Sequence, residues 1–220
     1  MALEDHFRGL GDIKIDEPKK MPAGAHATAA ATAAFAAEPT PAGVEAAMVL
    51  VAADARQGRG FIVDGKGHIA ADCDLVNGAS RIKVTSPDGD IFLARLLHKD
   101  EKRNLALLEI PFATPNHLKL GDIGSTDVGE EILVVSRRGN SLEMGKAIIT
   151  ALRRINGVAV IQFDGGRELG SQGTPVMTRN GQVLGVCSSK FESSQENVGF
   201  AVSVNELKAL MLADWNDFRS

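Results

Sequence analysis

Short runs of Val, Ile and Leu, each closed by Gly, Asp or Asn, recur along this chain, and no stretch carries a long helical pattern. That alternation constrains the fold more than any other feature, because turn residues at such close spacing leave room for strands but not for helices. The 23 Gly and 8 Pro supply the turns, so the chain reads as all-β. With 220 residues, 44% of them hydrophobic and 24% charged, it can bury a substantial core, and a single domain in two parts is the natural reading.

Charge and cysteine usage exclude several classes of function. The net charge is −4 and the Lys and Arg residues are scattered, so no basic stripe offers itself to nucleic acid. Cys73 and Cys187 lack metal-ligand spacing and are too few for a disulfide framework. No apolar run reaches the length of a transmembrane helix.

From Lys19 to Ala37 two lysines precede an Ala/Thr segment ending in a small-x-small pattern. A signal peptide would need a stronger apolar centre than a stretch that contains His26 and almost no Leu, Ile or Val. An Ala/Pro linker or arm is favoured, with a short alanine helix over Ala27 to Ala37 as the other reading and a cytoplasmic location preferred to a periplasmic one. Residues 1–43 are accordingly expected to be a flexible extension.

The folded part is expected to start near Val44 with a strand in AAMVLVAA. A hairpin follows within Gly58 to Ala79, turning at Asp64, Gly65, Lys66 and Gly67, and a second hairpin turns at Pro87, Asp88 and Gly89. Pro111 to Lys119 reads as a crossover between two parts. Asn180 and Gly181 mark another hairpin. From Asn205 on, Leu207, Leu210, Met211 and Trp215 fall at helical spacing, which predicts a terminal amphipathic helix with Trp215 as its anchor.

Four segments then go together. GRGFIVDGKGHIAADCDLVNGA at Gly58 to Ala79, NLALLEI at Asn104 to Ile110, QFDGGRELGSQGTPV at Gln162 to Val176 and NVGFAVSVNEL at Asn197 to Leu207 resemble segments of trypsin-like serine proteases of the HtrA (Deg) type, the first three matching that family's catalytic segments without gaps. The resemblance covers about three quarters of the chain and implies a double six-stranded β-barrel of trypsin-like type with a C-terminal helix. In residue terms it implies a first barrel over 44–110, a crossover over 111–120, and a second barrel with its helix over 121–220. Two departures stand out. The positions of the family's catalytic histidine, aspartate and serine fall on Asp74, Asn104 and Gln172, and the segment Arg137 to Glu143 is shorter than the loop that helps order the catalytic loops in active members.

These replacements remove three different functions. Histidine with a pKa of about 6.5 can accept a hydroxyl proton and return it, whereas an aspartate with a reference pKa of about 3.9 is a poor base. Asn104 supplies no anion to steady an imidazolium, and the Gln172 amide is not a nucleophile. The resemblance therefore implies a pseudoprotease.

Its oxyanion loop of Gly170, Ser171 and Gln172 depends on chain path and is expected to survive. Asp74 is expected to accept from the Asn104 and Gln172 amides in a polar knot, unless these are drifted positions in an unused cleft. Peptide binding by strand addition is expected near Gly165, Gly166 and Arg167 or near Ser188, Ser189 and Lys190, the latter stretch running to Glu192.

The partner is expected to be a protein or peptide, with no cofactor and a homo-oligomer left open. Two alternatives stand beside this one: a metal or small-ligand site around Asp72, Cys73 and Asp74, and a peptidase using Ser171 or Cys187 as nucleophile. His68 is expected to pack in its hairpin, and His98 and His117 to be solvated.

Overall fold

The computed structural model describes residues 39–138, 141–165, 170–191 and 197–217. Among them twelve strands form two closed antiparallel barrels of six. The first joins β1 (Met48–Ala53), β2 (Arg56–Ile62), β3 (His68–Asp72), β4 (Ile82–Thr85), β5 (Ile91–Asp100) and β6 (Leu105–Glu109) in the order β1-β2-β3-β6-β5-β4. In the second, β7 (Glu131–Arg138), β8 (Ser141–Ile155), β9 (Val158–Asp164), β10 (Pro175–Thr178), β11 (Val183–Cys187) and β12 (Val198–Ser203) close as β10-β11-β12-β9-β8-β7. Closure leaves neither sheet an open edge, which is how an all-β chain avoids strand-to-strand association.

Turn chemistry sets the register. In the β2–β3 hairpin Asp64 Oδ1 accepts from the Lys66 N–H at 2.9 Å. Gly67 there has φ +92°, and a Cβ on it would stand 2.4 Å from the Ile110 carbonyl, so the position admits only glycine. At the β8–β9 turn Asn156 and Gly157 have φ of +51° and +81°, the paired left-handed residues of a tight hairpin. The β7–β8 connection differs from expectation. Strand β8 starts at Ser141 and its register with β7 runs out to Arg138, so most of the supposed loop from Arg137 to Glu143 is paired strand.

Three apolar clusters hold the molecule. Val49, Val51, Ile62, Ile69, Val84 and Leu108 fill the first barrel, and Ile132, Val134, Ile149, Ile161, Phe163 and Leu184 the second. A further cluster takes residues from both barrels, among them Phe61, Leu105, Leu107, Leu133, Met177 and Val183. Helix α1 (Pro41–Glu45) contributes Val44 to it, and helix α3 (Val204–Asp217) closes onto it with Val204 and Leu207, while Leu210 and Met211 pack half-buried. The Trp215 side chain lies outside the described residues.

A polar clamp accompanies this packing. Arg103, in the β5–β6 turn, donates from Nε to Glu206 Oε2 of α3 at 2.6 Å and from its guanidinium to Asp100. Glu206 Oε1 also accepts the Ala159 N–H of β9 at 3.0 Å. Burial opposes ionisation of both carboxylates, but the bonds from Arg103 and the backbone outweigh it and hold both below their usual values. A carboxyl lowered in the folded state contributes stability above its unfolded pKa and loses it as the pH falls through the folded one. Below the ordinary values of 3.8 and 4.5 the protein is therefore expected to lose stability more steeply than an Arg103→Met variant. Urea titrations across the acid range read this directly, and parallel curves would contradict it.

Candidate functional site

The candidate site is assembled by three connections. Directly after β3 the chain makes a one-turn helix, α2 (Cys73–Val76), capped by Asp72. The Asp72 Oδ1 accepts the Asp74 N–H at 2.8 Å, as an N-cap aspartate should. From the β5–β6 turn comes Asn104, which has φ +56°, a left-handed conformation that asparagine tolerates better than most residues. The third connection, between β9 and β10, carries Gln172.

These residues meet on one oxygen. Asn104 Nδ2 donates to Asp72 Oδ2 at 2.8 Å, and Gln172 Nε2 donates to the same oxygen at 2.7 Å. Asn104 Oδ1 accepts from the Asp74 N–H at 3.1 Å, and its Nδ2 also reaches Ser188 Oγ at 3.2 Å. Asp72 and Asn104 are 2% and 1% exposed, so this network is built into the interior and not laid on a surface.

The centre of the knot is thus Asp72, where the sequence suggested Asp74. The reason is local. An N-cap side chain must fold back over the first turn, whereas Asp74 lies inside that turn with its side chain exposed and contributes only its backbone N–H. The sequence held a usable signal, an aspartate immediately ahead of the short apolar run of α2. Burial raises the Asp72 carboxyl above its ordinary value; the Gln172 amide bond opposes this, while the charge of Asp74 adds to it.

The loop around Gln172 keeps a defined path. Gly173, with φ +82°, donates its N–H to the Cys187 carbonyl at 2.9 Å, and a Cβ there would stand 2.4 Å from the Arg59 carbonyl. The Thr174 N–H returns to the Ser171 carbonyl at 3.0 Å. Among the described residues no backbone carbonyl accepts from the N–H of Gly170 or Gln172. Ser171 is half-buried and its carbonyl also receives the Thr174 hydroxyl at 2.6 Å.

The alternative chemistries gain little from the geometry. Among the described residues no three His, Cys, Asp or Glu side chains converge as metal ligands, and Asp72, Cys73 and Asp74 do not do so. His68 is engaged with Asp64, its Nδ1 2.7 Å from Oδ2, so hydrogen bonding as well as packing holds it. Both cysteines are buried and free. Burial pushes the Cys73 thiol up to about 11 and the Cys187 thiol up to about 12, so neither forms a thiolate near neutrality. Native protein at a pH of about 8 is expected to resist iodoacetamide at both sites and to be alkylated at both once unfolded. Rapid alkylation of folded protein at Cys187 would contradict this.

Of the two proposed strand edges, the one at Ser188 to Lys190 does not present an extended strand. Ser188 is buried, donates its N–H to the Phe200 carbonyl at 3.0 Å and takes part in the knot through Oγ. The next residues, Ser189–Phe191, turn into a 3-10 helix, which exposes Ser189 and Lys190 but presents no extended backbone for a peptide to pair with. Gly165 is exposed with φ +98° at the end of β9. Gly166 and Arg167 lie outside the described residues, as does Glu192.

Comparison with known proteins agrees with the fold. Residues 58–186 match the family described as trypsin-like peptidase domain. Among curated relatives, the periplasmic serine endoprotease DegP of Salmonella typhimurium is 31% identical over 70% of this chain and 34% of its own length. The magnetosome formation protease MamE of Paramagnetospirillum magneticum is 30% identical over 70% of this chain and 23% of its own. A crystal structure of the serine endoprotease from Yersinia pestis superposes with a TM-score of 0.67 at 27% identity, over 79% of this chain and 64% of that one. The chain spans less than half the length of the curated relatives it matches.

Proposed function

The chain belongs to the trypsin-like peptidase domain family, and from that membership we propose that it is a catalytically inactive HtrA-like homologue that acts as a protein- or peptide-binding module. The observation that carries this reading is the hydrogen-bonded knot of Asp72, Asn104 and Gln172. Proteolysis by this fold needs a hydroxyl or thiol held against a base that titrates near neutrality, with an anion behind the base. An amide, a second amide and a buried carboxylate provide neither the nucleophile nor the base, and the one anion present accepts from amides and has no imidazole to steady. Their mutual bonds also satisfy one another, so the site is stable without a substrate in it.

The reactive alternatives at Ser171 and Cys187 fit less well. Ser171 has its carbonyl tied into the turn of the loop, and the Cys187 thiol is held far above neutrality by burial. Loop path is a different matter from side-chain chemistry. The N–H groups of Gly170 and Gln172 remain suited to an incoming carbonyl or carboxylate, which is what a binding module of this ancestry would use.

A fluorophosphonate probe tests the reading. The folded protein is expected to remain unlabelled under conditions that saturate an active serine protease. Stoichiometric labelling at Ser171 would overturn it. As a further part of the same reading, residues 44–220 work as one protease-like unit and residues 1–43 as an extension from it.

A further inference from the structure

We propose that the groove lined by Lys102, Ile155, Asn156, Lys190 and Phe191 binds an acidic peptide segment in which carboxylates stand beside apolar side chains. The inference rests on reading the chain as a peptide-binding module and names the chemistry of what it binds.

Three separate parts of the chain make this groove: Lys102 from the β5–β6 turn, Ile155 at the end of β8 with Asn156 of the turn after it, and Lys190 and Phe191 from the 3-10 turn after β11. Its volume is about 440 Å³, enough for two or three side chains. Ile155 and Phe191 are half-buried and pack against the shared core, which gives the groove an apolar floor. Lys102 and Lys190 stand exposed at its rim.

Among the described residues neither rim lysine stands within salt-bridge distance of a carboxylate. The Nζ of Lys190 donates to the Glu101 carbonyl and not to a carboxylate. No carboxylate among the described residues pairs with Lys102, whose Nζ comes within 3.5 Å of a Cβ placed on Gly157. Of the described acids nearby, Glu101 pairs with Lys99 at 2.9 Å and also attracts Lys190 from a longer distance, while Asp100 and Glu206 both pair with Arg103. Arg153 and Arg154, exposed on β8 beside Ile155, add further positive charge. A chain of net charge −4 therefore gathers cations around one apolar groove, and complementarity selects a ligand with negative charge and an apolar body.

The local backbone favours recognition by side chains. Because Ser189–Phe191 is a 3-10 turn, a peptide arriving here finds no strand to extend, and its selectivity has to come from charge and from the apolar floor.

The test is fluorescence anisotropy with a fluorescein-labelled octapeptide alternating glutamate and leucine, set against the same peptide with glutamine for glutamate. The glutamate peptide is expected to bind about tenfold or more tightly. The double variant Lys102→Glu with Lys190→Glu, two exposed changes whose folding circular dichroism can verify, should lose that difference and favour a lysine–leucine peptide instead. Equal affinity for the two original peptides, no binding of either, or an undiminished preference in the double variant would overturn the proposal. So would tighter binding of a single-stranded oligonucleotide through the same lysines, which would mark a site for polyanions in general. Mass spectrometry of the recovered peptide separates this inference from the one beneath it: a peptide that is bound selectively but cleaved contradicts the inactive reading and leaves the charge preference standing.

Discussion

Changing Gln172 alone to serine is expected to leave peptide hydrolysis at the uncatalysed background. A serine hydroxyl at that position ends two bonds short of the amide nitrogen with which Gln172 now reaches Asp72 Oδ2 at 2.7 Å, and a buried carboxylate is in any case not a base for a hydroxyl of ordinary acidity. Members of a triad act as a unit: losing the serine or the histidine alone costs about as much as losing all three, on the order of 10⁶ in turnover. Restoring one therefore returns almost nothing.

Restoring three is also insufficient here. A carboxylate introduced at position 104 would face Asp72 across the 2.8 Å now spanned by a hydrogen bond, and two like charges at that distance cannot both ionise. The change that should restore reactivity is fourfold: Asp72→Asn, Asp74→His, Asn104→Asp and Gln172→Ser. Its rate of labelling by a fluorophosphonate is expected to exceed that of the Gln172→Ser variant by about a hundredfold or more. Comparable labelling of the two variants would show that the knot is not what separates this chain from a working protease.

Replacing Asp72 by alanine is expected to cost about 2–4 kcal/mol of folding stability. Asn104 Nδ2, Gln172 Nε2 and the Asp74 N–H all lose their bond to the carboxylate, which leaves the first only Ser188 Oγ at 3.2 Å and the third only Asn104 Oδ1 at 3.1 Å, and α2 loses its cap. The Asn104 amide is buried and cannot turn to water, while Gln172 is exposed and can. Gln172→Ala is accordingly expected to cost less than about 1 kcal/mol. Urea denaturation with an unchanged slope distinguishes these outcomes, and equal losses for the two variants would place the centre of the network elsewhere.

Asp72→Asn adds a pH signature. Because burial holds the Asp72 carboxyl above its ordinary 3.8, the folded state binds a proton more readily than the unfolded chain. The wild type should therefore gain stability relative to Asp72→Asn as the pH falls from neutral through that raised value.

Much of the fold was legible from local chemistry. Alternating apolar runs with Asp, Asn and Gly between them announce strands and hairpins directly, and the Asn180–Gly181 turn closes β10 on β11, with Gly181 at φ +77°. The Asn156–Gly157 pair, which turns β8 into β9, is an equally explicit signal. The extra length of β8 was hidden because its first residues, Ser141 to Met144, are polar or mixed and acquire strand geometry only by pairing with β7.

Within the site, the positions of Asn104 and Gln172 could be read from the spacing of their segments. That they converge on Asp72 could not, since a side chain's direction at a strand-to-helix junction depends on the cap that forms there. The turn at Ser189–Phe191 is a similar case: nothing in SSKF separates an extended edge from a 3-10 turn. The groove beside it draws on three parts of the chain far apart in sequence, which no local pattern brings together.

The most direct test of the central claim is to incubate the purified, folded protein with a complex mixture of peptides and look for new termini by mass spectrometry. The account predicts a profile indistinguishable from that of a Gln172→Ala variant and of buffer alone. New termini that appear with the wild-type protein and vanish on Ser171→Ala or Cys187→Ala would contradict it, because a nucleophile outside the knot would then be at work.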